Sequence, residues 1–425
     1  MTTSFSDSTI DELNQLVKHR QGAELIQAAF QEEAIDLGHH IFMSQGTSNA
    51  YLIVTKKHRV IINTGMGFEA LTHKKVFDAV SDNPTSHIIL TQAHVDHVGG
   101  VGQFKEDTTQ VIAQARNPLC QLDDERIAPL RQSQSYTWFK DVIDKALMVA
   151  KDHPEVFIQD KPKVDVLFDD KVSYQIDERQ IDVIAMHGGE TLDSAIVWLP
   201  DDKICFSGNT FGPLFPHFPN FNTVRGDKYR FYHDYIKALD AIKALKPTVL
   251  ITGHGMPIVG EKLIQAALTR LYEAVTYIHD TTLARMNKGD DVFSIMQTLT
   301  LPDHLNVGEG YGRVQWAIRT FWESYVGWFK LQSTTELLAT PVSAVYSELI
   351  ALAGVDALVA RARLLFEGGE LEQAMQLCNI AVNNGDSIAI ELMIELHECL
   401  LVREGSNFWF KGWIEGELIR LRGLV

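Results

Sequence analysis

The segment Ile88-Ile89-Leu90-Thr91-Gln92-Ala93-His94-Val95-Asp96-His97-Val98-Gly99-Gly100 joins an apolar run of strand length to a turn that closes on two glycines. Three metal-competent side chains, His94, Asp96 and His97, leave that one short loop in different directions, as a metal site requires. His-x-Asp-His alone also suits a solvated polar loop. The strand before it, Thr91 ahead of it and Gly-Gly behind it favour the metal reading.

Around this loop the chain alternates strands and helices. Ile41-Phe42-Met43, Tyr51-Leu52-Ile53-Val54 and Val60-Ile61-Ile62 read as a β-meander, divided by Gly46-Thr47-Ser48-Asn49 and Lys56-Lys57-His58. A helix over 70–80 and the strand at Ile88 complete a β-α-β unit, so the ligands stand at a strand's C-terminal end, where α/β sites lie. Residues 1–35 show helical periodicity, with Ile10, Leu13 and Leu16 and then Ala23, Leu25, Ile26 and Ala29. Residues 101–165 read as helical and irregular, a lid or packing insertion. Strand character returns at 164–168, 181–185 and 204–207, a helix is expected over 229–245, and Val249-Leu250-Ile251-Thr252 ends in Gly253-His254-Gly255.

Composition bounds what the loop can serve. A chain of 425 residues exceeds one ordinary core, and 45% hydrophobic with 22% charged residues is normal for a globular protein. The net charge of −17 opposes a nucleic-acid partner and an anionic membrane surface. Cys120, Cys205, Cys378 and Cys399 are scattered and read as small hydrophobes. The first residues lack the basic start and apolar core of an export signal, and no run of about 20 apolar residues occurs, so a cytoplasmic protein is expected.

The loop resembles the Thr-His-x-His-x-Asp-His-x-Gly-Gly segment of the metallo-β-lactamase superfamily, with Gln92 in place of the first histidine. Further matches narrow the branch. Glu190, in Gly189-Glu190-Thr191, stands where most members carry a histidine ligand and alkylsulfatases a glutamate, and Gly208-Asn209 resembles the alkylsulfatase Glu-Asn pair without its carboxylate. Asn63-Thr64-Gly65 has an amide where the superfamily has Asp. Asn220-Phe221-Asn222-Thr223-Val224-Arg225-Gly226 resembles the Asn-x-x-Thr-x-Arg-Gly segment with which alkylsulfatases hold sulfate. Tyr311-Gly312-Arg313-Val314, followed by Tyr325-Val326-Gly327-Trp328, resembles the opening of the alkylsulfatase dimerisation domain, with Trp316 where that family often has histidine.

The resemblance implies an α+β fold, a metallo-β-lactamase αββα sandwich over 1–275, followed by an all-helical dimerisation domain over 276–425. Helix hairpins akin to tetratricopeptide units at 362–400 fit that second part as a packing and dimer element. The further C-terminal lipid-binding module of many alkylsulfatases is expected to be absent, since the chain ends at Val425.

The implied ligands are Asp96, His97 and His254 for one divalent metal, and Gln92, His94 and Glu190 for another. Zinc is the expected ion, one or two per chain. An amide is a poor ligand for zinc, so the second position starts out weak. If Gln92 were its sole defect, Gln92→His would raise the bound metal from about one toward two per chain. Asp96 and Arg225 are expected to be catalytic, with Asn220, Thr223, Arg225 and Tyr311 binding substrate, since Arg225 offers a planar donor fork to a tetrahedral oxyanion.

The implied enzyme is a metal-dependent hydrolase of sulfate esters using hydroxide made available at neutral pH by the metal. Its expected partners are a small ester with an anionic group and a second copy of the chain. Alternatives are hydrolysis of a phosphoester, thioester or lactone, an iron-dependent activity on a His-His-carboxylate triad, or a silent dimeric scaffold.

Overall fold

The computed structural model describes residues 5–20, 22–156, 159, 161–222 and 224–424, which form two compact units, 1–324 and 325–425. The first unit holds two sheets. One carries β1 (Ile35–Asp36), β2 (Ile41–Ser44), β3 (Ala50–Val54), β4 (Arg59–Ile62), β5 (Thr85–Ile89), β6 (Gln110–Gln114) and β7 (Val166–Phe168), in chain order. Its first four strands pair antiparallel through short turns, and β4 to β7 pair parallel. Parallel pairing needs a crossover, which α2 (Gly67–Asp78) supplies between β4 and β5. The other sheet runs β13 (Ile258–Val259), β12 (Val249–Thr252), β11 (Ile204–Gly208), β10 (Ala195–Leu199), β9 (Arg179–Ala185) and β8 (Lys171–Ile176). Its parallel β11–β12 pair is spanned by α7 (Tyr232–Leu245).

Period-two alternation explains the layers. Tyr51, Ile53, Val60 and Ile62 point inward and pack with Val183, Val197, Phe206 and Ile251 of the facing sheet, while Leu52 and Ile61 point outward against Val76 and Phe77 of α2. The opposite outer face is covered by α1 (Asp7–His19), α7 and α8 (Glu261–Met286), through residues such as Leu13, Leu239 and Leu271. Each such fully buried side chain contributes about 1.5–3 kcal/mol of apolar transfer free energy. The result is the expected αββα sandwich.

Three expectations differ in detail. β6 lies inside the stretch read as helical, because Val111, Ile112 and Ala113 are buried on both faces and so show no alternation. The first 35 residues are helical over α1 and one 3-10 turn at 23–25, and Ala29 instead donates its N–H to the buried Glu69 carboxylate. The division of the chain falls at Ser324/Tyr325, near the end of α10 (Val314–Val326), whereas residue 275 lies inside unbroken α8 with Ala274, Val275 and Ile278 all buried.

The second unit is helical, with α11 (Tyr346–Ala353), α12 (Val355–Glu367), α13 (Leu371–Val382), α14 (Ser387–Glu404) and α15 (Phe408–Arg422). Ala362, Ala374, Ala381 and Ala389 are fully buried, and such small side chains let helices approach closely around Leu392, Leu396 and Ile414. Asp386 and Asn407 cap α14 and α15 by accepting backbone N–H bonds. Leu352 and Val402 are 85% and 91% exposed.

Buried polar groups beneath the turn after β4 fix the approach to the metal loop. His73 of α2 packs under Gly65, whose φ of +69° and 2.5 Å clearance from the imidazole to an added Cβ demand glycine. Its Nδ1 lies 2.7 Å from Ser44 Oγ, and burial holds its pKa down to about 3. His217, which accepts the Gly310 N–H at Nδ1, is likewise held down to about 4 by burial, with Arg20 adding to the effect. Both values lie below the ordinary 6.5, so the unfolded chain takes up these protons first. The stability they contribute is present above pH 6.5 and lost as pH falls toward 4 and then 3. The urea midpoint is therefore expected to fall across that window, with a shallower slope in His73→Gln; an unchanged slope would show that His73 is not the titrating group.

Candidate metal centre and anion site

β5 runs into Leu90 and Thr91, and the chain then turns so that His94 precedes the single helical turn α3 (Val95–Val98). Asn63 holds that turn. Its Oδ1 accepts the Thr91 N–H at 3.0 Å, and its Nδ2 donates to Thr91 Oγ1, also at 3.0 Å. Gly99-Gly100 is required by close packing: a Cβ on Gly100 would stand 2.4 Å from Ala70 Cβ of α2.

Asp96, His97 and His254 converge. One ligand atom from each lies within 4.8 Å of the other two, and His254 arrives from the loop after β12. Ser48 was not expected here. Its hydroxyl donates a short hydrogen bond to Asp96 Oδ2 and lies 3.2 Å from His97 Nε2 and 3.4 Å from His254 Nε2. The buried Glu69 carboxylate fixes this loop by accepting the Thr47 N–H at 2.7 Å and the Thr47 hydroxyl at 2.9 Å, while burial pushes its pKa up to about 7. Burial lowers the pKa of His254 to about 4 and also lowers that of His97, against the opposing pull of Asp96, so both imidazoles are neutral at pH 7, the form that ligates. For Asp96, burial opposes ionisation but the neighbouring His97, His94 and His254 hold its pKa far below the carboxylate range. Two neutral imidazoles and a carboxylate with ligand atoms this close together fit a divalent cation.

Gln92, His94 and Glu190 are also brought together, but as partners of one another. Gln92 Nε2 lies 3.0 Å from both His94 Nδ1 and Glu190 Oε2. Asn209 Nδ2 donates to the same Glu190 oxygen at 2.7 Å, and the Arg230 guanidinium, itself buried, lies 3.5 Å from Glu190 Oε1. Burial opposes ionisation of Glu190, yet Arg230, with His94, Gln92 and Asn209, holds its pKa below the ordinary value. His94 Nε2 meets Asp227 at 3.2 Å; burial lowers the imidazole's pKa, but that carboxylate outweighs it and pushes the value up to about 9. Gly208 has φ +50° and its Cβ would meet Thr91 Oγ1 at 2.7 Å, so no carboxylate can stand there without displacing Thr91.

Arg225 lies 3.9 Å from Asp227, and its backbone is held by Arg131 of α6 (Ala128–Asp152), which donates to the Arg225 and Gly226 carbonyls. Asn220 is buried, and among the described residues neither of its amide atoms has a hydrogen-bond partner; the same holds for Arg225 Nε. Tyr311 is buried within electrostatic reach of Glu190, Arg225, Arg230 and Asp96, and burial raises its pKa. Thr223 lies outside the described residues. A cavity of about 540 Å³ opens beside His94, Asp96 and Arg225, walled by Trp138 and Phe139 of α6. Asp227 and Arg230 carried no expectation, although both follow Arg225 within five residues.

Comparison with known proteins agrees with this geometry. The model of the metallo-beta-lactamase superfamily matches residues 43–254, and that of the alkyl sulfatase dimerisation family matches residues 292–410. Linear primary-alkylsulfatase of Pseudomonas sp. is 27% identical over 78% of this chain, and alkyl/aryl-sulfatase BDS1 of Saccharomyces cerevisiae is 22% identical over 89%. The chain spans 66% and 62% of the lengths of those two relatives. The stereoselective inverting sec-alkylsulfatase Pisa1 from Pseudomonas sp. has the same fold, with a TM-score of 0.78 at 17% identity over all of this chain and 79% of that one. With the αββα layers, the ligand loop after β5 and the matched helical region in place, the chain carries a metallo-β-lactamase domain over residues 43–254 and an alkyl sulfatase dimerisation region over residues 292–410.

Proposed function

We propose that this protein is a metal-dependent hydrolase of sulfate esters. The observation that carries the reading is Arg225, within electrostatic reach of Asp96 of the Asp96–His97–His254 cluster and with its Nε unpartnered among the described residues, together with Asn220, buried with both amide atoms unpartnered among the described residues and held through its carbonyl by Arg230. A buried amide without partners costs about 1–3 kcal/mol, a cost relieved when a ligand accepts and donates there. The relatives named as alkylsulfatases add support from their names.

Asp96, His97 and His254 would hold the cation, zinc by this reading, which when bound supplies Lewis acidity and an activated water. Arg225 orients the sulfate through its donor fork and offsets its charge, and Asn220 contributes neutral donors. Tyr311, closed off by burial, helps exclude water from that end. Where the C–O bond breaks, the leaving group is sulfate itself, a weak base that clamping by Arg225 and Asn220 stabilises, so that route requires no dedicated acid. The organic part of the substrate fits the cavity beside Trp138 and Phe139. Release of inorganic sulfate from a panel of alkyl and aryl sulfates, against matched phosphoesters, thioesters and carboxyl esters, tests the reading; turnover confined to the other esters would sink it.

The helical region after the sandwich serves as a dimerisation element in this proposal, and the cytoplasm is the proposed compartment. Among the described residues no helix is long and apolar enough to cross a membrane. Sedimentation is expected to give a dimer at micromolar concentration, and Val402→Asp, on a side chain 91% exposed in the second unit, is the variant to compare. A monomer in the unaltered protein would count against a homodimer.

A further inference from the structure

We infer that the second metal position of the fold is closed in this chain, and that the Arg230 guanidinium supplies the positive charge that a cation would otherwise bring to Glu190. The inference rests on the reading of Asp96, His97 and His254 as a cation site, and concerns the other three candidate ligands. Glu190 and His94 are each already engaged by a donor or a counter-charge, while Gln92 turns its amide Nε2 toward Glu190 and keeps its Oε1 buried without a partner among the described residues. Glu190 Oε2 accepts from Gln92 and Asn209, while its Oε1 faces Arg230. Arg230 is locked in place by donating from Nε to the Glu190 carbonyl at 3.0 Å and from its terminal nitrogen to the Asn220 carbonyl. His94 has Gln92 on one ring nitrogen and Asp227 on the other.

The donor set therefore does not fit a second cation. A guanidinium and two amide N–H groups point at the carboxylate from a buried setting, where an added positive charge would be repelled by the first and blocked by the others. Asn209 stands between the two halves, with its Nδ2 2.7 Å from Glu190 Oε2 and 3.3 Å from His254 Nε2. It couples the closed position to the open one without a bridging ion. Gly208 removes the remaining carboxylate, since Thr91 occupies its space.

This changes the expectation for Gln92. If the amide were the whole defect, a histidine there would admit a second ion; with Arg230 and Asp227 in place, it should not. Arg230 is thus a positioning residue for Glu190, and through the Asn220 carbonyl for the anion site.

Zinc content after equilibration with excess zinc and removal of loosely held ion tests this without any substrate. About one zinc per chain is expected for the unaltered protein and for Gln92→His, and about two for the double variant Gln92→His/Arg230→Gln, in which Glu190 has lost its counter-ion. The charge-preserving pair Gln92→His/Arg230→Lys is expected to stay at about one. Two zincs in the unaltered protein or in Gln92→His overturn the inference, as does a folded Gln92→His/Arg230→Gln that holds one. If that variant fails to fold, the stoichiometry of Gln92→His decides alone. A protein with no zinc would overturn both this inference and the reading beneath it, whereas failure to cleave sulfate esters leaves the zinc count standing.

Discussion

His97→Ala and His254→Ala are each expected to lose stoichiometric metal and, with it, hydrolytic activity. The argument is one of ligand number. Asp96, His97 and His254 are the metal-competent cluster found among the described residues, so removing one imidazole leaves two ligands at the site. Two protein ligands do not retain zinc against buffer, and loss of even an outer partner commonly costs about 10–100-fold in affinity. Neither Glu190 nor His94 can fill in, because both are held by Arg230 and Asp227.

Metal content by elemental analysis is the first measurement, and thermal response is the second. A ligand at about 100 times its Kd adds about 2.7 kcal/mol to stability, so the unaltered protein should melt higher with zinc while both variants ignore it. Both histidines are buried, which makes folding a necessary control by circular dichroism. Full metal occupancy in either variant would show that the ligands lie elsewhere.

How much of this was legible before the structure depends on how far apart the interacting residues are. The β-meander and the strand of the metal loop show in the sequence because Tyr51, Ile53, Val60 and Ile62 alternate with residues facing the other way. β6 did not, because a strand buried on both faces carries no alternation, and its surroundings are helical. The ligands Asp96 and His97 are readable together because one turn presents them. His254 is readable only through resemblance, since nothing local marks a histidine after a strand as a ligand.

Ser48 and Arg230 show the limit more sharply. Ser48 sits in a turn that reads as an ordinary Gly-Thr-Ser-Asn linker, and its place among three ligands depends on Glu69 holding Thr47 from a helix 22 residues away. Arg230 meets a carboxylate 40 residues before it, across β10 and β11. Sequence marks Gln92 as a changed ligand, but whether the change weakens a metal position or closes it depends on Arg230, Asp227 and Asn209. Those partners emerge from the fold.

Arg225→Ala is expected to lower kcat/KM for a sulfate ester by about 10²–10³-fold with metal content unchanged. Arg225 lies outside the Asp96–His97–His254 cluster, so its loss removes an anion clamp without removing a ligand. Its nearest charged partner, Asp227 at 3.9 Å, is also paired with His94, so the guanidinium is only partly neutralised and retains charge for a sulfate. Arg225→Lys keeps the charge but not the planar fork, and should recover part of the loss. Asn220→Ala, which removes neutral donors, should cost less than Arg225→Ala, about tenfold. For a carboxyl ester without an anionic group the same Arg225→Ala change should have little effect, because there is no sulfate to clamp. Equal losses on both substrates would mean that Arg225 acts through the surrounding Asp227–His94 pair rather than on the anion, and unchanged kinetics on the sulfate ester would remove Arg225 from the binding site altogether.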